Sequence, residues 1–160
     1  MLFRSIFMQK SKILFVCVEN AGRSQMAEGF FRKYAPAGFE VQSAGTKPIA
    51  TINPIVVEAM AEVGIDITSQ TPKTITDSMI KNVSKVINMG CMDKQSCPAL
   101  FVNDVVDWAI EDPKGKSIDN VRKIRDTIQK KVQELCKNLD RKSTRLNSSH
   151  VSESRMPSSA

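Results

Sequence analysis

Cys17-Val-Glu-Asn-Ala-Gly-Arg-Ser24 follows the apolar run Ile13 to Val16 and precedes a helix-like run that begins near Gln25. Strand, loop and helix in that order make an oxyanion cradle with a nucleophile at its base. The backbone N–H groups of such a turn point inward, the helix N-terminus adds partial positive charge, and Arg23 offers a planar fork to two oxygens of a tetrahedral anion. The same field favours negative charge on the Cys17 sulfur, and Ser24 is placed to donate to it. Val18, Glu19, Asn20, Ala21, Gly22, Arg23 and Ser24 are therefore the candidate oxyanion-binding residues, with Cys17 and Arg23 also catalytic. Asn20 and Gly22 tolerate the unusual backbone angles of a tight loop. The competing reading, a buried cysteine ending a core strand, gives the glycine and the arginine no purpose.

Outward from this motif, strands alternate with helices. Ile13 to Cys17 is a continuous apolar run, as expected for a strand covered on both faces. Met26, Ala27, Phe30, Phe31 and Tyr34 share one side of the helix that follows. A second strand is expected over Phe39 to Ser43, ended by Ala44-Gly45. Asn53-Pro54 starts a helix with proline in its first turn, Val56, Ala59, Met60 and Val63 mark its buried face, and Gly64 stops it. Thr76 to Lys81 reads as a short helix, Ser84 to Met89 and Val105 to Ile110 as the third and fourth strands. Ile118 to Leu139 carries Val121, Ile124, Ile128, Val132 and Leu135 at helical spacing. The order predicts an α/β fold: three α/β/α layers around a four-stranded parallel sheet, in one domain over residues 1–139.

Residues 140–160 stand apart. Their run of Ser, Arg, Asn and Thr has no apolar periodicity, resembles a sequencing adapter translated in one frame, and is expected to be an artefactual, disordered tail. Setting it aside removes four Lys/Arg and two Asp/Glu and lowers the formal net charge from +6 to +4. Such mild basicity suits an anionic substrate. No dense Lys/Arg stripe with interleaved aromatics suggests nucleic acid. The sole histidine, His150, lies in that tail, which argues against a Ser-His-Asp triad, a Cys-His pair and a histidine-ligated metal. No signal-peptide core or membrane span is recognisable, so a cytoplasmic protein is expected, starting at Met1 or Met8.

The cysteines are Cys17, Cys91, Cys97 and Cys136, which read as cytosolic thiols. Cys91 and Cys97 follow the third strand, at the carboxyl edge where parallel sheets gather their sites. If their segment were helical, about 9 Å would separate their Cα atoms, beyond the ~7 Å limit of a disulfide. Forming that bond would require the segment, bounded by Gly90 and Pro98, to unwind or loop. A redox pair, two packed thiols and half of a zinc site are the alternatives, and no second ligand pair supports zinc. Cys136 belongs to the packed face of the last helix. Asp112, in Glu-Asp-Pro-Lys-Gly, reaches the same edge after the fourth strand, where a carboxylic acid can protonate a leaving oxygen; Asp-Pro is also an ordinary turn starter.

Cys17 to Glu28, Ser43-Ala44-Gly45-Thr46, Asn53-Pro54, Val63-Gly64-Ile65-Asp66-Ile67, the Cys91 and Cys97 pair and Asp112-Pro113-Lys114-Gly115 together resemble the thioredoxin-coupled arsenate reductases, relatives of the low-molecular-weight protein tyrosine phosphatases that share their fold. The resemblance spans about Lys12 to Cys136. It implies arsenate as substrate, Cys17 as nucleophile, Asp112 as acid, and Cys91 and Cys97 as a disulfide relay emptied by thioredoxin. It implies no cofactor and no metal. A potassium site of some members uses an acidic residue where Lys73 stands, so that ion is not expected here. This chain departs from those members in having Gly22 where they carry a second loop cysteine, and in spacing Cys91 and Cys97 one residue closer.

Two other readings compete. A phosphotyrosine phosphatase needs Cys17, Arg23 and Asp112 but has no use for Cys91 and Cys97, and the phosphatases resembled here carry aromatic residues where Lys114-Gly115 stands. A non-enzymatic oxyanion sensor keeps the cradle and leaves the acid and the thiol pair unexplained.

Overall fold

The computed structural model of the chain describes residues 11–81, 83–90 and 104–147, with the side chains of 142–147 excepted. The elements are β1 (Ser11–Cys17), α1 (Arg23–Tyr34), β2 (Phe39–Gly45), α2 (Pro54–Glu62), α3 (Asp77–Ile80), β3 (Val83–Asn88), β4 (Val105–Asp107) and α4 (Ile118–Asn147). The strands form one parallel sheet in the order β2-β1-β3-β4. The three-layer reading is therefore correct.

Alternation along β1 builds the layers. Ile13, Phe15 and Cys17 face the larger core with α1, α2 and α4, while Leu14 and Val16 face a smaller one closed by Ile75, Met79 and Ile80 around α3. A strand sandwiched this way must be apolar at every position, which is why its sequence shows no alternation. Phe15 centres the larger core. Its ring meets Phe31 edge-on at 6.0 Å and Trp108 at 5.8 Å, and it is fully buried. Burying such a ring contributes roughly 2–3 kcal/mol and anchors β1 two residues before Cys17.

Strand order reverses between β1 and β3, so the crevice at the carboxyl end of β1 is the topological switch point. Cys17 ends β1 at that crevice, and α1 starts over it.

Several boundaries differ from the sequence reading. The second strand runs on through Ala44 and Gly45, which pair with Val16 and Cys17. The fourth stops at Asp107, and only Val105 to Asp107 find partners on β3. The last helix continues past Leu139 to Asn147, with no glycine or proline between 118 and 147 to interrupt it. Among the described residues no helix is long and apolar enough to cross a membrane.

Candidate active site

The 17–24 loop is held by its carbonyls. Thr46 N–H donates to Cys17 O at 3.2 Å, Lys47 to Val18 O at 2.8 Å, Ile49 to Glu19 O at 3.3 Å and Asn53 to Ala21 O at 3.0 Å. With these carbonyls turned outward onto the 46–53 segment, the loop curls around the Cys17 sulfur. Asn20 N–H donates to Sγ at 3.2 Å, and Ser24 Oγ lies 2.8 Å from Sγ. Asn20 adopts a left-handed conformation, φ 53°, which asparagine tolerates better than most residues.

A buried amide network fixes that conformation. Asn20 Nδ2 donates to Ser24 Oγ at 2.8 Å, and Asn20 Oδ1 accepts from Lys73 N–H at 2.9 Å and Gln25 Nε2 at 3.1 Å. Gln25 also donates to Asn20 O and Thr71 O, and accepts from Gln70 Nε2 at 2.7 Å. Buried amides satisfied this fully hold one geometry. Nearby, buried Glu28 accepts from Ser43 and Arg32 and faces the Lys73 ammonium at 3.7 Å. Sequence reasoning gave neither Gln25 nor Glu28 a role. Ser43, Gln70 and Thr71, which tie them to the rest of the fold, lie 15 to 46 residues away, beyond what local periodicity can pair.

Arg23 is the first residue of α1, its side chain mostly buried. Its Nη1 donates to Ile110 O at 3.1 Å, and Nη2 lies 3.7 Å from Asp112 Oδ2. A Cβ on Gly90 would come within 2.7–2.9 Å of the guanidinium, so a larger residue there would displace the end of the Arg23 side chain. Asp112 is half-exposed, and its Oδ1 accepts from Lys114 N–H at 3.0 Å. Lys114 Nζ reaches Glu19 Oε2 across the mouth at 3.0 Å, and this hydrogen bond holds the ammonium above its ordinary pKa. A cavity of about 230 Å³ opens beside the loop between Glu19, Ile49, Thr51, Asp112 and Lys114.

Val18 to Ser24 thus curl around the Cys17 sulfur, and Arg23 and Asp112 stand together beside them. Cys91 and Cys97, and the loop proposed for them, lie outside the described residues. Cys136 is packed in the core, where burial pushes its thiol up to about 11. Among the described residues no cluster of three or more His, Cys, Asp or Glu could hold a metal ion.

The sequence model described as low molecular weight phosphotyrosine protein phosphatase matches residues 12–145. The chain belongs to that family. An arsenate reductase of Staphylococcus aureus is 39% identical over 124 residues, covering 76% of this chain and 93% of the relative. A solved arsenate reductase in the phosphate binding state is 32% identical with a TM-score of 0.72, covering 80% of this chain and 98% of the other. The thioredoxin-dependent arsenate reductase of Corynebacterium glutamicum is 36% identical with a TM-score of 0.70, over 82% of this chain and 63% of the other.

Proposed function

We propose that this protein reduces arsenate to arsenite with electrons from thioredoxin. Arsenate is a tetrahedral oxyanion of the size and charge that a loop of inward N–H groups and a guanidinium fork accommodate. In this reading Cys17 Sγ attacks arsenic, an S–As bond forms, and hydroxide leaves with a proton from Asp112. Cys91 then attacks the Cys17 sulfur. A Cys17–Cys91 disulfide forms, the electron pair of the broken S–As bond stays on arsenic, and arsenite departs. Cys97 attacks Cys91, frees Cys17 and leaves a Cys91–Cys97 disulfide for thioredoxin. Two electrons enter arsenic and one dithiol supplies them. The place of Gly90, bonded to Cys91 and lying against the Arg23 guanidinium, supports the second step.

The observation that carries reductase over phosphatase is the ion pair of Lys114 and Glu19 across the mouth, where an aryl phosphate would need an apolar wall for its ring. Similarity to named arsenate reductases supports the same choice. The chemistry calls for a reducing compartment, so the proposal includes the cytoplasm. It includes no cofactor, metal, nucleic acid or membrane.

Arsenite released from pre-reduced protein without thioredoxin tests the scheme. Wild type and Cys97→Ser should each release one arsenite per chain, and Cys17→Ser and Cys91→Ser none. Release by Cys91→Ser would refute the relay.

A further inference from the structure

We propose that Gly22 is a positioning residue for the acid: its missing side chain is the seat of the Pro113 ring, and that contact sets the height of Asp112 over the Cys17 loop. A Cβ built on Gly22 would lie 2.8 Å from Pro113 Cγ and 3.5 Å from Pro113 Cδ. Cγ belongs to a ring closed on its own backbone nitrogen, so beyond a change of pucker it cannot swing aside as a flexible side chain would. Relieving the overlap to an ordinary carbon contact requires a shift of roughly 0.7 Å or more, and what the pucker does not take up falls on the backbone that carries Asp112 or on the loop at Gly22.

The other ties between the two loops are softer. Lys114 and Glu19 form an exposed ion pair, a type worth little. Arg23 stands 3.7 Å from the half-exposed Asp112 carboxylate, which is too long for a hydrogen bond. Arg23 also holds Ile110 O at 3.1 Å, which fixes the start of the acid loop and leaves Asp112 two residues further on. Ring-on-glycine packing adjoins Asp112 directly, and repulsion at that distance is steep. Gly22 therefore serves two partners: its carbonyl accepts from Met26 N–H at 3.0 Å to start α1, and its Cα face receives Pro113.

This inference rests on Asp112 as the acid, so the experiment separates the two. Gly22→Ala, Pro113→Ala, the double variant and Asp112→Asn are compared with wild type for kcat in thioredoxin-coupled arsenate turnover and for competitive inhibition by inorganic phosphate. Pro113→Ala removes the Cγ that collides. Gly22→Ala should lose roughly tenfold to 10²-fold in kcat, the scale of a sub-ångström to 1 Å misplacement. Phosphate inhibition should stay within a factor of about two. The double variant should recover most of the loss. Asp112→Asn at full rate would remove the acid itself. With that acid intact, three results overturn the role of Gly22: Gly22→Ala at wild-type rate, a double variant no faster than Gly22→Ala, or phosphate inhibition lost together with rate. Should Gly22→Ala not fold, Pro113→Ala alone decides. Loosened packing should lower its kcat while phosphate inhibition is kept, and an unchanged kcat overturns the proposal.

Discussion

Ser24 Oγ lies 2.8 Å from Cys17 Sγ and accepts a hydrogen bond from Asn20 Nδ2 at the same distance. In the thiolate form of Cys17 the hydroxyl is the donor to the sulfur, alongside the Asn20 N–H. The orientation of Ser24 thus depends on Asn20, and that of Asn20 on Gln25 and Lys73.

Ser24→Ala removes a hydrogen bond to a charged group, worth about 1.5–3 kcal/mol. Alkylation of Cys17 by iodoacetamide at neutral pH should slow by roughly tenfold or more, with thermal stability little changed. Alkylation at the wild-type rate would show that Ser24 does not act on the sulfur.

Arg23→Lys keeps the charge and loses the fork. Lysine is a point charge that cannot hold Ile110 O and two oxygens of an anion at once. Inhibition by phosphate should weaken roughly tenfold to 10²-fold, measured as a competitive constant. Equal inhibition would mean that the anion is held by backbone amides alone.

Asp112→Asn should slow turnover by about 10²-fold or more, the usual contribution of a general acid. Phosphate binding should stay nearly intact, because the carboxylate stands at the mouth beside Arg23. Lost binding would assign Asp112 a structural role.

Glu62 accepts hydrogen bonds from Arg122 and Arg125, which hold its carboxyl at about 2 against an ordinary 4.5. Below 4.5 the unfolded chain takes up a proton that the folded chain refuses. The contribution of Glu62 to stability is therefore fully present above about pH 4.5 and is lost as pH falls toward 2. Glu62→Gln should flatten the acid side of a Tm-versus-pH curve in that window. An identical slope in wild type and variant would contradict the assignment.

The β1-loop-α1 unit was legible in the sequence because its signals are local: a run buried on both faces, a cysteine at its end, a glycine, an arginine and a helix. Asp112 was legible through its place after a strand of a parallel sheet. What escaped depends on distant partners. Ala44-Gly45 looks like a strand stop, yet Gly45 pairs with Cys17 and must be glycine because a Cβ would lie 2.4 Å from Val18 O. Trp108 and Ile110 look like strand residues, but Trp108 packs on Phe15 and Ile110 gives its carbonyl to Arg23. Gln25 and Glu28 look like the solvent side of a helix and instead brace the loop against β2 and the 70–73 segment. The contact of Pro113 with Gly22 joins residues that no sequence period relates.

Arsenate-dependent NADPH oxidation with thioredoxin and thioredoxin reductase, run beside hydrolysis of a chromogenic aryl phosphate, separates reductase from phosphatase. A thioredoxin-coupled reductase gives arsenate turnover that disappears when thioredoxin is omitted, and little aryl phosphate hydrolysis. Brisk hydrolysis without arsenate turnover would contradict the proposed function and make this protein a phosphatase.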